Sequence, residues 1–244
     1  MSVVLLNVVC ILLLVSIFPM QGVVGFLNPR MAKQLLRQHR LLSRLGGAQE
    51  HHRKKCVLIA VAEGSEELET IAIADTLVRA GSDVKLASVS GSLFVKCSRG
   101  IELKANLLIS DPECTSVKWD LIVCPGGMPG AENLYSSEPL RMLLKNQAAA
   151  NRYIGAICAA PAVVLSKLNI LQGKAVTCYP IPRFMDMISK NGDATYVASR
   201  TVVDGNIITS QGPGTSLEFA LKLVETLYGE EKAIHIGKEM LYLQ

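Results

Sequence analysis

From residue 56 to residue 228 the chain alternates two patterns. Short unbroken apolar runs are followed by longer stretches in which apolar positions recur every three or four residues. The first pattern predicts strands covered on both faces and the second predicts amphipathic helices. Residues 56–62 are one continuous apolar run and predict the first strand. Glu63-Gly64-Ser65 makes a turn, with Ser65 as candidate N-cap and Glu66, Glu67 and Glu69 in the first turns of a helix that runs to Ala80. Gly81 stops it. Residues 83–88 predict the second strand. This β-α-β opening demands a right-handed crossover and an α/β sheet.

The same reading continues along the chain. Residues 94–108 alternate loosely and predict a hairpin. Residues 120–124 predict a central strand that runs into the glycine-rich loop Pro125-Gly126-Gly127-Met128-Pro129-Gly130. A helix follows over 138–150, capped by Ser136 or Ser137. Residues 153–157 predict another strand, which stops at Cys158 before a helix-compatible run over 160–168. A short strand at 175–178, a helix at 181–190, a hairpin of 195–203 with 206–210, and a helix at 215–228 complete the pattern.

The first 54 residues break it. Residues 3–18 are almost wholly apolar, and no charge precedes Arg30. This resembles a signal-peptide core or signal anchor, but it has no basic n-region and is short for a membrane span. Arg30, Lys33, Arg37, Arg40, Arg44, Arg53 and Lys54 then follow with interleaved leucines, an Arg-rich, acid-poor pattern of the mitochondrial presequence kind. Met31 offers an alternative start. The expected organisation is therefore an extension over 1–54, either a targeting segment or a disordered tail with no address, and one α/β domain over 55–244. The expected compartments are cytoplasm, mitochondrion or both, with no stable membrane span in the mature domain.

Charge narrows the function. The formal net charge is +4, but the basic excess sits between residues 30 and 55. The remainder is near neutral, and no aromatic residues interleave with the basic ones, so no nucleic-acid-binding motif is present. Seven cysteines occur without a C-x-x-C pair or a Cys/His cluster, which argues against a zinc site and for a reducing compartment.

Candidate chemistry gathers where strands end. In an open parallel sheet, ligands bind beyond the carboxyl ends of the strands. Glu66 to Glu69, Gly126-Gly127, Cys158 and Gly212-Pro213 all lie at such ends. Cys158 sits at a strand-to-helix turn flanked by small Ala156 and Ala160, the geometry of a nucleophile elbow with Cys in place of Ser. The N–H groups that follow and the helix dipole should favour a thiolate and lower the thiol pKa. A buried structural cysteine is the alternative. Gly127 N–H and Ala159 N–H are candidate oxyanion donors. The loop fits neither G-x-x-x-x-G-K nor G-x-G-x-x-G. Glu66 and Glu69 share a helix face, and a desolvated carboxyl beside a thiolate should have a raised pKa and can shuttle protons. Glu67 is expected to be a solvated first-turn acid. The four histidines are His39, His51, His52 and His235, and none lies near a strand end, so a Cys-His peptidase dyad is disfavoured.

Five ordered motifs carry a resemblance. They are residues 62–70, Lys96-Cys97-Ser98-Arg99, Pro125-Gly126-Gly127, residues 156–161 around Cys158, and residues 209–215 with Gly212-Pro213-Gly214. From about Lys55 to the C-terminus the chain resembles the Parkinson-disease protein deglycase ("DJ-one") family of the ThiJ/PfpI superfamily. The resemblance implies a flavodoxin-like α/β sandwich with a mostly parallel sheet, and a homodimer. It implies Cys158 as the reactive, oxidisable cysteine, Glu69 as its protonated partner, and Gly127 and Ala159 as backbone donors. Arg99 and Arg79 would lie near the dimer interface. No cofactor and no metal are implied. The implied activity is glyoxalase or deglycase chemistry on methylglyoxal, related dicarbonyls and glycated adducts. The alternative is a redox sensor or chaperone switched by oxidation of Cys158 to sulfinate. Two departures bear on substrate range. Tyr179 stands where the family often has His, and Gln211 stands where Arg is usual. A second family cysteine near Lys104 is missing.

Overall fold

The computed structural model describes residues 53–244. The expected signal anchor or presequence lies outside the described residues, apart from its last two positions. Seven strands form one sheet in the order β10-β11-β7-β6-β1-β2-β5. They are β1 (Cys56–Val61), β2 (Asp83–Ser88), β5 (Leu107–Leu108), β6 (Leu121–Cys124), β7 (Tyr153–Ile157), β10 (Thr201–Asp204) and β11 (Ile207–Ser210). All neighbours run parallel except β10 with β11, an antiparallel pair at one edge. This is the α/β sheet that the apolar pattern predicts and the flavodoxin-like fold that the resemblance implies.

The unbroken apolar runs are explained by helices on both faces. Along β1, Val57, Ile59 and Val61 pack into one core with residues of α1 (Glu67–Arg79) and α6 (Ser216–Tyr228). Leu58 and Ala60 pack into the other, with α3 (Gly130–Ser136), α4 (Glu138–Ala149) and α5 (Pro182–Asn191). All five residues are fully buried. Each large aliphatic side chain buried this way contributes about 1.5–3 kcal/mol relative to exposure. α2 (Pro112–Ser116) precedes β6, and α7 (Glu230–Glu239) packs beside α6.

The hairpin expected over 94–108 is present as β3 (Phe94–Lys96) and β4 (Glu102–Lys104), with β5 leaving it to join the main sheet. The strand expected over 195–203 is divided. β9 (Thr195–Tyr196) pairs in parallel with β8 (Ala175–Val176) in a small separate sheet, and only Thr201 onward pairs with β11. A turn in which Ser199 N–H donates to Val197 O breaks the run. Ser137 caps α4, its hydroxyl accepting from Leu140 N–H. Ser65 does not cap α1. Its hydroxyl accepts from Ala62 N–H, and the Glu66 carboxylate caps the helix by accepting from Glu69 N–H at 2.7 Å.

The chain leaves β1 towards β2 on one side and reaches β6 on the other. The strand order therefore reverses between β1 and β6, and a crevice opens there beyond the carboxyl ends.

Candidate active site

The crevice is a cavity of about 470 Å³, and Glu66, Ser98, Arg99, Gly127, Cys158 and Pro213 are among its lining residues. Cys158 follows β7 directly at φ +63. A left-handed cysteine turns the chain sharply out of the sheet at a cost of order 1–3 kcal/mol. Two backbone hydrogen bonds hold it there. Cys158 N–H donates to Ser210 O at 3.0 Å, and Cys158 O accepts from Tyr179 N–H at 2.8 Å. Fully buried Ala156 and Ala160 flank it. The expected α-helix after it is instead a π turn, Pro161–Leu165, followed by a 3-10 turn, Ser166–Leu168. Ser166 N–H reaches back to Pro161 O, one residue further than an α-helix would.

The Pro125-Gly126-Gly127 loop needs its glycines. A Cβ at Gly126 would lie 2.5 Å from Cys158 Cβ and 3.0 Å from its Sγ. A Cβ at Gly127, which has φ +84, would lie 2.3 Å from Gly64 O. The loop is thus pressed between the start of α1 and the cysteine. From this position Gly127 N–H approaches Sγ, as Ala159 N–H does from the other side.

Glu69 comes from the first turn of α1 and is fully buried. Its Oε2 accepts from Gly126 N–H at 2.7 Å. Its Oε1 is buried without an aligned hydrogen-bond partner, while the carboxyl lies within interaction range of the Cys158 thiol. Burial raises the Glu69 pKa to about 7, and the Glu66 charge adds to the rise while Gly126 N–H opposes it.

The thiol does not behave as the sequence predicts. Burial, followed by repulsion from the Glu69 carboxylate, pushes the Cys158 pKa up to about 12. Gly127 and Ala159 N–H pull it down by less than this. The repulsion depends on Glu69 being ionised. When Glu69 carries its proton, that penalty disappears and the carboxyl O–H becomes a donor to Sγ.

The other predicted residues divide. Arg99 and Tyr179 line the cavity with Pro213. Gly212 borders it: a Cβ there would lie 3.3 Å from the Tyr179 ring and 4.0 Å from Cys158 Sγ. Arg79 is elsewhere, on the exposed side of α1, paired with Asp75 at 2.8 Å. On the same helix Leu68, Ile71 and Val78 remain exposed. Glu67 is not a solvated acid. It is 5% exposed, and it accepts from Ser98 hydroxyl at 2.9 Å and Arg99 N–H at 2.8 Å. Met128, Ile181 and Phe184 also line the cavity, and sequence reasoning passed over them. The apolar residues at the start of α5 were the available signal. Among the described residues, no group of His, Cys, Asp and Glu is arranged to hold a metal, and no helix is long and apolar enough to cross a membrane.

Comparisons with known proteins bear on the family and the fold. Protein DJ-1 homolog B of Arabidopsis thaliana is 47% identical over 185 residues, 76% of this chain and 41% of the relative. The chain thus spans about two fifths of the length of that plant relative. The glutathione-independent glyoxalase DJR-1.2 of Caenorhabditis elegans is 37% identical over 187 residues, 77% of this chain and 96% of the relative. The solved structure of oxidized Toxoplasma gondii DJ-1 superposes with a TM-score of 0.72 at 44% identity, covering 78% of this chain and all of that one. The DJ-1/PfpI family model matches residues 55–226. By its sequence match and its fold, the chain belongs to the DJ-1/PfpI family.

Proposed function

We propose that this protein is a cofactor-free glyoxalase of the stress-protective kind, in which the Cys158 thiolate attacks methylglyoxal or its early adducts on amines and thiols. One observation carries the reading: two backbone N–H groups and a carboxyl near pKa 7 converge on one thiol in an open cavity. The name of the Caenorhabditis elegans relative supports the reaction class.

The reactive arrangement, a thiolate beside a protonated Glu69, is the minor form reached when the thiol proton passes to the Glu69 carboxylate. Sγ bonds to the aldehyde carbon, and the carbonyl π pair moves onto oxygen between Gly127 and Ala159 N–H. Glu69 protonates that oxygen and becomes a carboxylate. It then removes the hydrogen on the same carbon as a proton. The electron pair passes to the neighbouring carbonyl as an enediolate. Return of the proton to the second carbon, with the hydroxyl proton on the first oxygen passing to the second oxygen, leaves a lactoyl thioester on Cys158. Glu69 takes a proton from an attacking water, the C–S bond breaks, lactate leaves and the thiolate is restored. The sum is methylglyoxal plus water giving lactate and a proton. A carboxyl with a pKa near 7 can serve as both acid and base at neutral pH.

Lactate formation from methylglyoxal tests this reading. Cys158→Ala is expected to lose at least about a hundredfold in turnover. Full turnover in that variant would end the proposal.

A second reading rests on Glu69 Oε1, buried beside the thiol without an aligned partner. Hydrogen peroxide would transfer two oxygens in succession to Sγ, releasing water each time. The resulting sulfinate would accept from Glu69 O–H and the two N–H groups. Mass spectrometry after mild peroxide should find two added oxygens selectively at Cys158, and random oxidation across the cysteines would sink this reading.

A further inference from the structure

The cavity above Cys158 has a mixed lining. Glu66, Ser98 and Arg99 are the polar side chains of its lining, and Met128, Tyr179, Ile181, Phe184 and Pro213 supply the large apolar share. Three of these apolar residues are substantially exposed, Met128 at 39%, Tyr179 at 44% and Ile181 at 36%. Isolated exposed apolar side chains are ordinary on a protein surface, but three lining one reactive cavity are not.

The apolar lining is held in place. Ile181 N–H donates to Tyr179 O at 2.8 Å, and Phe184 N–H donates to Ile181 O at 3.0 Å. Phe184 is 5% exposed, so the core fixes its ring. Tyr179 N–H is tied to Cys158 O, and a Cβ at Gly212 would lie 3.3 Å from the Tyr179 ring and 4.0 Å from Sγ. The aromatic ring and the reactive sulfur therefore flank the same glycine and line the same cavity.

Size points the same way. A cavity of about 470 Å³ falls among pockets that enclose drug-sized ligands, about 300–1,000 Å³. Methylglyoxal, with three carbons, fills little of it and leaves the apolar lining in contact with water. We propose, building on the glyoxalase reading, that the pocket selects 2-oxoaldehydes bearing an apolar, ring-sized substituent, with Tyr179 and Ile181 as specificity-determining residues. The aldehyde end sits at Sγ and the substituent lies along the apolar lining, where the Tyr179 and Phe184 rings offer offset or edge contacts.

Two assays test this. The first compares kcat/KM for phenylglyoxal and methylglyoxal, normalised to their addition to glutathione. The wild type should favour phenylglyoxal by about tenfold or more, the scale on which apolar pockets discriminate. That ratio should fall at least about fivefold in Tyr179→Ser and in Ile181→Ala. The second does not need turnover. Alkylation of Cys158 by N-phenylmaleimide and N-methylmaleimide is followed on the Cys158 peptide and normalised to glutathione. The same phenyl preference and the same loss in the two variants are expected. Methylglyoxal turnover without phenyl preference in either assay would overturn this inference and leave the glyoxalase reading intact. A phenyl preference in alkylation with no turnover of either aldehyde would do the reverse. A preference untouched by either substitution would also overturn the assignment.

Discussion

Glu67 and Glu69 lie two residues apart on the first turn of α1, and both side chains are buried. Their pKa values move in opposite directions. For Glu67 the push of burial is outweighed by its own backbone N–H, the Ser98 hydroxyl, and the N–H groups of Arg99 and Ile101, so its pKa falls. For Glu69 burial wins over the single N–H of Gly126, and the pKa rises to about 7. Glu67 sits shallowly under the loop at 98–101 and anchors it. Glu69 points inward, with one oxygen left without an aligned partner. Burial alone does not make a proton-transfer group. Burial with too few donors does.

Exchanging each carboxylate for its amide should break this comparison most visibly. Glu69→Gln keeps an acceptor for Gly126 N–H but cannot move a proton, so methylglyoxal turnover should fall by about 10²–10⁴-fold. Stability against pH supplies an independent check. The folded Glu69 pKa, about 7, lies above its ordinary value of 4.5. Its contribution is therefore fully present below pH 4.5 and is lost as pH rises through about 7. This amounts to roughly 3 kcal/mol, read by denaturant unfolding between pH 5 and pH 8. Glu69→Gln should flatten that alkaline limb. Glu67 has the opposite sign. Its lowered pKa makes its contribution present above the ordinary value and lost on acidification, so Glu67→Gln should flatten the acid limb instead. Equal changes on both limbs in either variant would show that the two groups are not separate devices.

Much of this site was legible in the sequence, for physical reasons. The apolar runs of β1, β6 and β7 are unambiguous because both faces of the sheet are covered. Ligand sites at strand ends follow from parallel topology, which gathers Glu66 to Glu69, Gly126-Gly127 and Cys158, and the family resemblance singles out Glu69 within that acidic turn. The glycines at 126 and 127 are needed because a Cβ at either would strike Cys158 or Gly64. Other features depended on tertiary partners that local pattern does not encode. Ser65 is a good cap by type, yet Glu66 takes that role because Ser65 turns back to Ala62 N–H. Glu67 looked solvated because the loop that covers it comes from some thirty residues later. The thiol pKa was expected to fall because donors are visible in sequence, whereas the depth of burial and the facing carboxylate are not. The π turn after Cys158 also leaves no periodic signature over so short a span.

The comparison can be sharpened by a smaller change, Ser98→Ala. The Ser98 hydroxyl donates to Glu67 Oε2 at 2.9 Å, while Arg99 N–H remains on Oε1. Removing the hydroxyl takes away one of several donors, so the cost should be about 1 kcal/mol in denaturant unfolding at neutral pH. With one donor fewer, burial opposes the carboxylate more effectively and the Glu67 pKa should move upward. The acid-side loss of stability should then begin at a higher pH than in the wild type. The alkaline limb belongs to Glu69, which Ser98 does not touch through any hydrogen bond, and it should stay where it is. A shift of both limbs together would mean that the loop at 98–101 and the thiol pocket respond as one unit. The opposite pKa shifts of the two neighbouring carboxylates would then have to be explained by the fold of α1 as a whole rather than by the donors each oxygen meets.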